Sequence, residues 1–376
     1  MKRIIIITAS ILLLALIIYI GVQLLTGETT TVPTPGTDPV VKGEPIIEEQ
    51  LALVANEAPI LTYWLNSVEN LIYYITNDGE IYKVRAPQVS ERVSGTKIQE
   101  LASADPSADG ASLIVRFGGT TNQSFSIFTV ATKKWVSLPA GTAGAAWDPA
   151  SSSQLAYLTT PGTNGGIYLF KVPSEESVKL ASLNSTGLDL VWSSPDEIYL
   201  TDKPARESTG SVWAFTLSTK TFRPIITDKA GLMTSWSGDG SLGLQFSLPS
   251  VSQLSVVLIN ARGESIGALP FITLPGKCTF AGLNNSPATK LYCGVPYDMQ
   301  LPRLGLPDSY LQHQLYTTDD IYEVGLSGLN SPKKIFTGIY REAPLDIDQP
   351  LLVGTTLYFL NRYDQALYSV DLRLVK

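Results

Sequence analysis

Three tryptophans, Trp147, Trp192 and Trp236, stand 45 and 44 residues apart, each inside the same phrase of turn, small or apolar run, polar turn and second apolar run. The three copies read "PAGTAGAAWDPASSSQLAYLT", "LNSTGLDLVWSSPDEIYLT" and "TDKAGLMTSWSGDGSLGLQFS". A fixed period of this length constrains the fold severely, because a unit so small cannot bury its apolar face alone and must stack on copies of itself. The same step meets Asp105 in "ASADPSADG" and Trp64 in "LTYWLNSVEN" on one side. On the other it meets Phe280 in "KCTFAGLNNSPATKLY" and, after a longer gap, Asp346 in "APLDIDQPLLVGTTLY". That makes seven units.

A second landmark gives the same count. Each unit carries a later apolar run at a similar offset: Ile81, Ile127, Ile167, Val212, Val256, Ile321 and Leu367 mark "EIYKVR", "SIFTVA", "GIYLFK", "SVWAFT", "LSVVLI", "DIYEVG" and "ALYSVD". Between the two landmarks lie "LIYYI", "LIVRF", "LAYLT", "EIYLT", "LGLQF", "LYCGV" and "LYFLN", rich in the aliphatic and aromatic residues that suit pleated surfaces. A weaker fourth run follows, as in "KKWVSL", "SVKLASL" and "KTFRPII". Four short strands per repeat with few helical signals predict an all-β, seven-bladed β-propeller. The chain ends in a third strand, "ALYSVDLRLVK", while "EEQLALVANEAP" before the first unit looks like a fourth strand and its turn. Leu51 to Val54 are therefore expected to complete the last blade and to cover an edge open to aggregation.

The turns "WDPASSSQLAYL", "WSSPDEIYL" and "WSGDGSLGL" resemble degenerate copies of the Ser-Pro-Asp-Gly turn of TolB-type, WD40-like propellers, a likeness that extends over roughly Leu51 to Lys376. The resemblance implies protein binding or scaffolding and brings no catalytic residues. No unit carries the Gly-His and Trp-Asp pair of a strict WD repeat.

At the other end, "MKRIIIITASILLLALIIYIGVQLLTG" places Lys2 and Arg3 ahead of 22 uncharged residues, Ile4 to Leu25. As a helix this run would be roughly 33 Å long, enough for a hydrocarbon core of about 30 Å. It is longer than the apolar region of a cleaved signal peptide and ends without a small-x-small site. The early positive charges predict a cytoplasmic N-terminus and an extracytoplasmic C-terminal domain. Residues 26–45, rich in Thr, Pro and Gly, read as a tether, which leaves 46–376 for the propeller. The net charge of −7 becomes −9 once Lys2 and Arg3 are set aside, so nucleic acid is not an expected partner.

Catalytic chemistry finds little footing. His313 is the only histidine, which excludes a His-rich metal site and leaves a surface residue as the expectation. The adjacent Asp319 and Asp320 read as turn residues before a strand. The Asp boxes of sialidases are not matched, since Asp239 in "SWSGDGSLGL" is followed directly by Gly240 and no closing Trp. Arg116, Arg223 and Arg341 are present without any sign of whether they converge on the axis. The repeated Trp residues are expected between blades rather than at a ligand. No metal or cofactor is implied.

Two features point to function. Cys278 and Cys293 flank the turn "NNSPAT" at nearly equal distances, so they are expected as cross-strand neighbours that form a disulfide in an oxidising compartment. In the same unit the link from second to third strand is enlarged, and 294–318 form an insertion containing Tyr297, Arg303, Tyr310, His313 and Tyr316. A chain that crosses the disc four times per blade brings second-to-third links and blade-to-blade links out on one face. Arg341 and Glu342 in "IYREAP" are thus expected beside the insertion. Tyr and Arg on a rigid scaffold have the composition of binding hot spots. The sequence therefore predicts a membrane-anchored, extracytoplasmic module that binds another envelope protein. A receptor for a small molecule or glycan in the channel is the alternative, and an envelope hydrolase a more distant one.

Overall fold

The computed structural model describes residues 50–119, 122–160, 165–250, 253–281, 287–297, 305–338 and 343–374. The apolar run Ile4 to Leu25 and the tether lie outside them, and among the described residues no helix is long and apolar enough to cross a membrane. Among the described residues, seven antiparallel four-stranded sheets account for the strands. Six are formed by four consecutive strands each. The seventh takes its first three strands from the C-terminus and its fourth, Leu51–Ala55, from the start of the described chain, with Leu51 opposite Val370 and Leu53 opposite Tyr368.

The first strands of the blades are Ile60–Asn66, Leu101–Pro106, Thr142–Asp148, Leu188–Ser194, Met233–Trp236, Cys278–Ala281 and Ile347–Val353. Those of blades 1 and 2, 3 and 4, 6 and 7, and 7 and 1 lie against one another, so the first strands ring the axis and the fourth strands form the rim. Second strands are sandwiched in their sheets and buried on both faces, which explains their nearly continuous apolar runs. In blade 2, Leu113 and Val115 pack toward blade 1 while Ile114 between them packs toward blade 3. The core is accordingly divided into seven apolar clusters, one at each blade interface.

The tryptophans and turns hold neighbouring blades together. Trp64 of blade 1 donates its indole N–H to the Gly110 carbonyl (3.0 Å) and Trp147 of blade 3 to the Asp105 carbonyl (2.9 Å), both in blade 2. In the turn of blade 2 the Ser107 hydroxyl donates to Asp109 (2.7 Å) and accepts from the Ser112 N–H (3.0 Å). Gly110 closes that turn at φ 68°, with its α-carbon so near blade 1 that a β-carbon would stand 2.3 Å from the Leu65 carbonyl. Only glycine meets both demands.

One landmark of the repeat is corrected. Asp346 precedes the first strand of blade 7, and the residue corresponding to Trp64 there is Leu351, opposite Tyr358. Asp346 has a different task, described next.

Candidate functional site

The link between the second strand of blade 6, Lys290–Pro296, and the third, Asp319–Gly325, is fastened to the disc. Its short helix, Asp308–Leu311, reaches blade 4, where the Asp308 carboxylate accepts from the Arg206 N–H (2.8 Å) and the Leu306 carbonyl from the Arg206 guanidinium (3.2 Å). On the other side Arg362, in the second-to-third link of blade 7, donates to the carbonyls of Tyr310 (2.8 Å) and Leu315 (3.2 Å). Leu306 and Tyr310 join the apolar cluster between blades 5 and 6. The insertion is thus a strap across four blades.

Beneath the strap lies a buried ionic cluster. Lys277, Asp319 and Asp346 are each 0% exposed, and the Lys277 ammonium donates to Asp319 (2.5 Å), to Asp346 and to the Thr317 hydroxyl (2.8 Å). Asp346 also takes a hydrogen bond from Arg362 (3.0 Å) and the Thr317 N–H (3.1 Å). Asp319 accepts from the Thr317 hydroxyl (2.7 Å) and the Ile347 N–H (2.8 Å). Two cations meet two carboxylates, and the partners come from the strap, from links on the same face and from the strand ends that adjoin them. Burial alone would push the Lys277 ammonium toward neutrality, but Asp319, Tyr310 and Asp346 outweigh it and hold its pKa well above the usual lysine value. The Arg362 guanidinium lies 3.7 Å from the centre of the Tyr310 ring, so the phenol is sandwiched into the cluster.

The turn reading of Asp319 and Asp320 is corrected by this geometry. Both lie within the third strand of blade 6 and are buried, Asp320 paired with Lys334 (2.6 Å) and accepting from the Gly338 N–H (2.9 Å). Sequence spacing carries no trace of such pairings, since Lys277 and Asp346 are 69 residues apart.

Of the insertion residues, Tyr297 is 58% exposed and Tyr316 38% exposed, while His313 is exposed with Nδ1 3.2 Å from Arg362. Tyr310 is buried and anchors the strap rather than facing solvent. Arg303, Arg341 and Glu342 lie outside the described residues. The structure adds Tyr363 of blade 7, whose exposed ring packs 5.2 Å from that of Tyr316. Its position follows from the shared face of second-to-third links, but nothing in its local sequence marks it. Cys278 and Cys293, paired across the first and second strands of blade 6, are joined by a disulfide with their α-carbons 4.1 Å apart.

A second feature sits on the axis. A cavity of about 740 Å³ is walled by the first strands of blades 2 to 4, with turn residues of blades 2, 3 and 5 at one end. Arg116 lines it; Arg223 does not, being on the outer strand of blade 4 with Glu197 (2.7 Å). Among the described residues no group of three or more His, Cys, Asp or Glu is arranged to hold a metal ion.

No family model matches the chain, and no curated protein matches it. Solved structures do. An uncharacterized protein of Listeria monocytogenes aligns with a TM-score of 0.53 at 10% identity, over 87% of this chain and 96% of that one. The β-propeller domain of the Trilobed protease from Pyrococcus furiosus, which has an open velcro topology, aligns at 0.51 and 13% identity, over 86% and 96%. TolB from Acinetobacter baumannii aligns at 0.44 and 10% identity over 85% of this chain, which spans 63% of the TolB chain. Likeness at such identities is likeness of fold, and the chain shares the architecture of the seven-bladed β-propellers.

Proposed function

We propose that this protein is a membrane-anchored, extracytoplasmic binding module that engages another envelope protein through the strapped face of its propeller, without catalytic activity of its own. The observation that carries this reading is the rigid presentation of exposed aromatic rings. The tilted rings of Tyr316 and Tyr363 pack against each other, and Tyr316 lies 5.0 Å from Arg362, which is itself held by Asp346 and two strap carbonyls, so their order is established before a partner arrives. Rings fixed in advance lose little conformational entropy on binding, and tyrosines on a rigid frame are typical anchors of protein interfaces. Leu311, 43% exposed on the strap's helix, extends the apolar surface. The extracytoplasmic placement rests on Lys2, Arg3 and the run Ile4 to Leu25, and is supported by the disulfide, since such bridges persist in oxidising compartments.

The test is affinity recovery from detergent-solubilised membranes with the full chain and with the double variant Tyr316→Ala/Tyr363→Ala. Both rings are partly exposed, so the variant is expected to melt close to the parent and to lose at least about tenfold of partner recovery, as for hot-spot tyrosines. Undiminished recovery would move the interface elsewhere on the molecule.

A further inference from the structure

We propose that Lys277 and Asp319 condense within the folded chain, the Lys277 amine and the Asp319 carboxyl forming an amide cross-link with loss of one water. Nucleophile and electrophile are already side by side. Lys277 Nζ lies 2.5 Å from Asp319 Oδ2, and a carbon–oxygen bond adds about 1.2 Å, so the nitrogen is at most roughly 3.7 Å from the carboxyl carbon. Atoms held for attack stand about 3 to 3.5 Å apart. Both side chains are fully buried, and the Tyr310 ring covers the ammonium at 5.1 Å. Gly294 closes another side, since a β-carbon there would stand 3.2 Å from Asp319 Oδ2. With water kept out, the ion pair is deprived of solvation and the reverse hydrolysis lacks its reagent.

Asp319 rather than Asp346 is the acceptor, because Arg362 stays beside Asp346 at 3.0 Å, whereas Asp319 pairs with no cation but Lys277 among the described residues. The raised pKa of Lys277 opposes release of a proton to water. Transfer inside the cluster is a different step: it exchanges a buried ion pair for a neutral amine and acid while Arg362 and Asp346 remain paired, and burial raises the Asp319 carboxyl so that it takes the proton more readily. Thr317 supplies the route, its hydroxyl accepting from Nζ (2.8 Å), donating to Asp319 Oδ1 (2.7 Å) and standing 3.1 Å from Asp346 Oδ1. One ammonium proton passes through that hydroxyl to Oδ1. The freed amine attacks the carboxyl carbon, and Oδ2 takes the carbonyl electron pair, steadied by the Ile347 N–H at 2.8 Å. A second nitrogen proton goes to Asp346 and returns through Thr317 to Oδ1, which departs with its bonding pair as water as the carbonyl re-forms. Nitrogen–carbon has replaced carbon–oxygen, no atom is oxidised or reduced, and Asp346 and Thr317 end as they began. The ionic cluster is the form reached on folding and is the reactant. The cross-link encloses the whole insertion in a covalent loop, next to the bridge between Cys278 and Cys293.

Mass spectrometry of the full chain, purified from detergent-solubilised membranes and then reduced and unfolded, tests the assignment. The parent is expected one water lighter than its sequence. Its tryptic digest should lack cleavage after Lys277 and should join that peptide to the one holding Asp319. Lys277→Arg should leave the Asp319 peptide linear. Asp319→Asn should lose ammonia in place of water and so reach the same final mass as the parent, which an ordinary ion pair cannot do. Thr317→Val should slow the appearance of the linked peptide after induced expression by about a hundredfold, since positioned proton transfer is worth about 10² to 10⁴ in rate. Should the variants fold poorly, the parent digest decides by itself: the linked peptide supports the assignment, and complete cleavage after Lys277 with a linear Asp319 peptide overturns it. A loss of water that persists in Lys277→Arg would overturn it as well.

Discussion

Replacing Lys277 by methionine removes the ammonium from the buried cluster while keeping most of its volume. The two carboxylates it serves are then left in unequal positions. Asp346 retains Arg362 at 3.0 Å, whereas Asp319 keeps only the neutral Thr317 hydroxyl and Ile347 N–H. An uncompensated buried carboxylate costs about 3 to 5 kcal/mol. Unfolding entropy of about 2.1 cal/mol/K per residue, taken over the compact unit Glu49–Lys376, turns that loss into a melting temperature roughly 4 to 7 °C lower. Near-ultraviolet circular dichroism and tryptophan fluorescence, which report packing at the blade interfaces, should record the same shift. Lys277→Met/Asp319→Asn should recover a large part of the loss, since the double variant buries no unpaired charge there. Lys290→Met, which breaks a partly exposed pair with Glu323 (2.8 Å), should change stability by less than about 1 kcal/mol. The sign of the pH dependence follows from the raised pKa of Lys277: its contribution is complete below the unfolded value of 10.5 and is lost as pH rises beyond it. The gap between parent and Lys277→Met should therefore narrow only in strong alkali. A single variant that melts within about 1 °C of the parent, or a double variant no more stable than the single one, would refute the reasoning.

Three further outcomes follow from the fold. A chain beginning at Pro59 lacks Leu51–Ala55 and leaves the Ala366–Asp371 strand with an open edge, so it should self-associate on size-exclusion chromatography, whereas one beginning at Gly43 should remain monodisperse. Gly110→Ala, at φ 68° and against the Leu65 carbonyl, should destabilise by more than about 2 kcal/mol in urea titrations, while Gly354→Ala, at φ 60° with open space around it, should cost only about 1 kcal/mol. Protease added to spheroplasts should digest the propeller and leave it undetached beforehand; a protected domain would reverse the proposed orientation, and a released, trimmed one would favour a cleaved leader.

The propeller is legible in the sequence because its period is imposed locally. Each blade repeats the same geometry, so the Trp landmarks, the turn glycine and the apolar second strands return at nearly constant spacing, and both faces of those strands must be apolar whatever the neighbours are. The disposition of Cys278 and Cys293 is also local, since positions symmetric about a hairpin turn face each other across it. The strap is different. Its length shows in the gap after Phe280, but that it lies across blades 4 to 7, with Tyr310 turned inward and Tyr316 outward, follows from side chains as distant as Arg206 and Arg362. Lys277, Asp319 and Asp346 look like ordinary turn and strand-end polar residues until ring closure brings three separate segments to one point. The axial cavity is likewise a product of assembly, for Asp105 and Arg116 of blade 2 share a wall with Asp189 of blade 4 only because the first strands are arranged in a circle. Periodicity determines what each blade is; the polar contacts between blades depend on the closed ring, where long-range electrostatics and desolvation act on residues with no regular spacing.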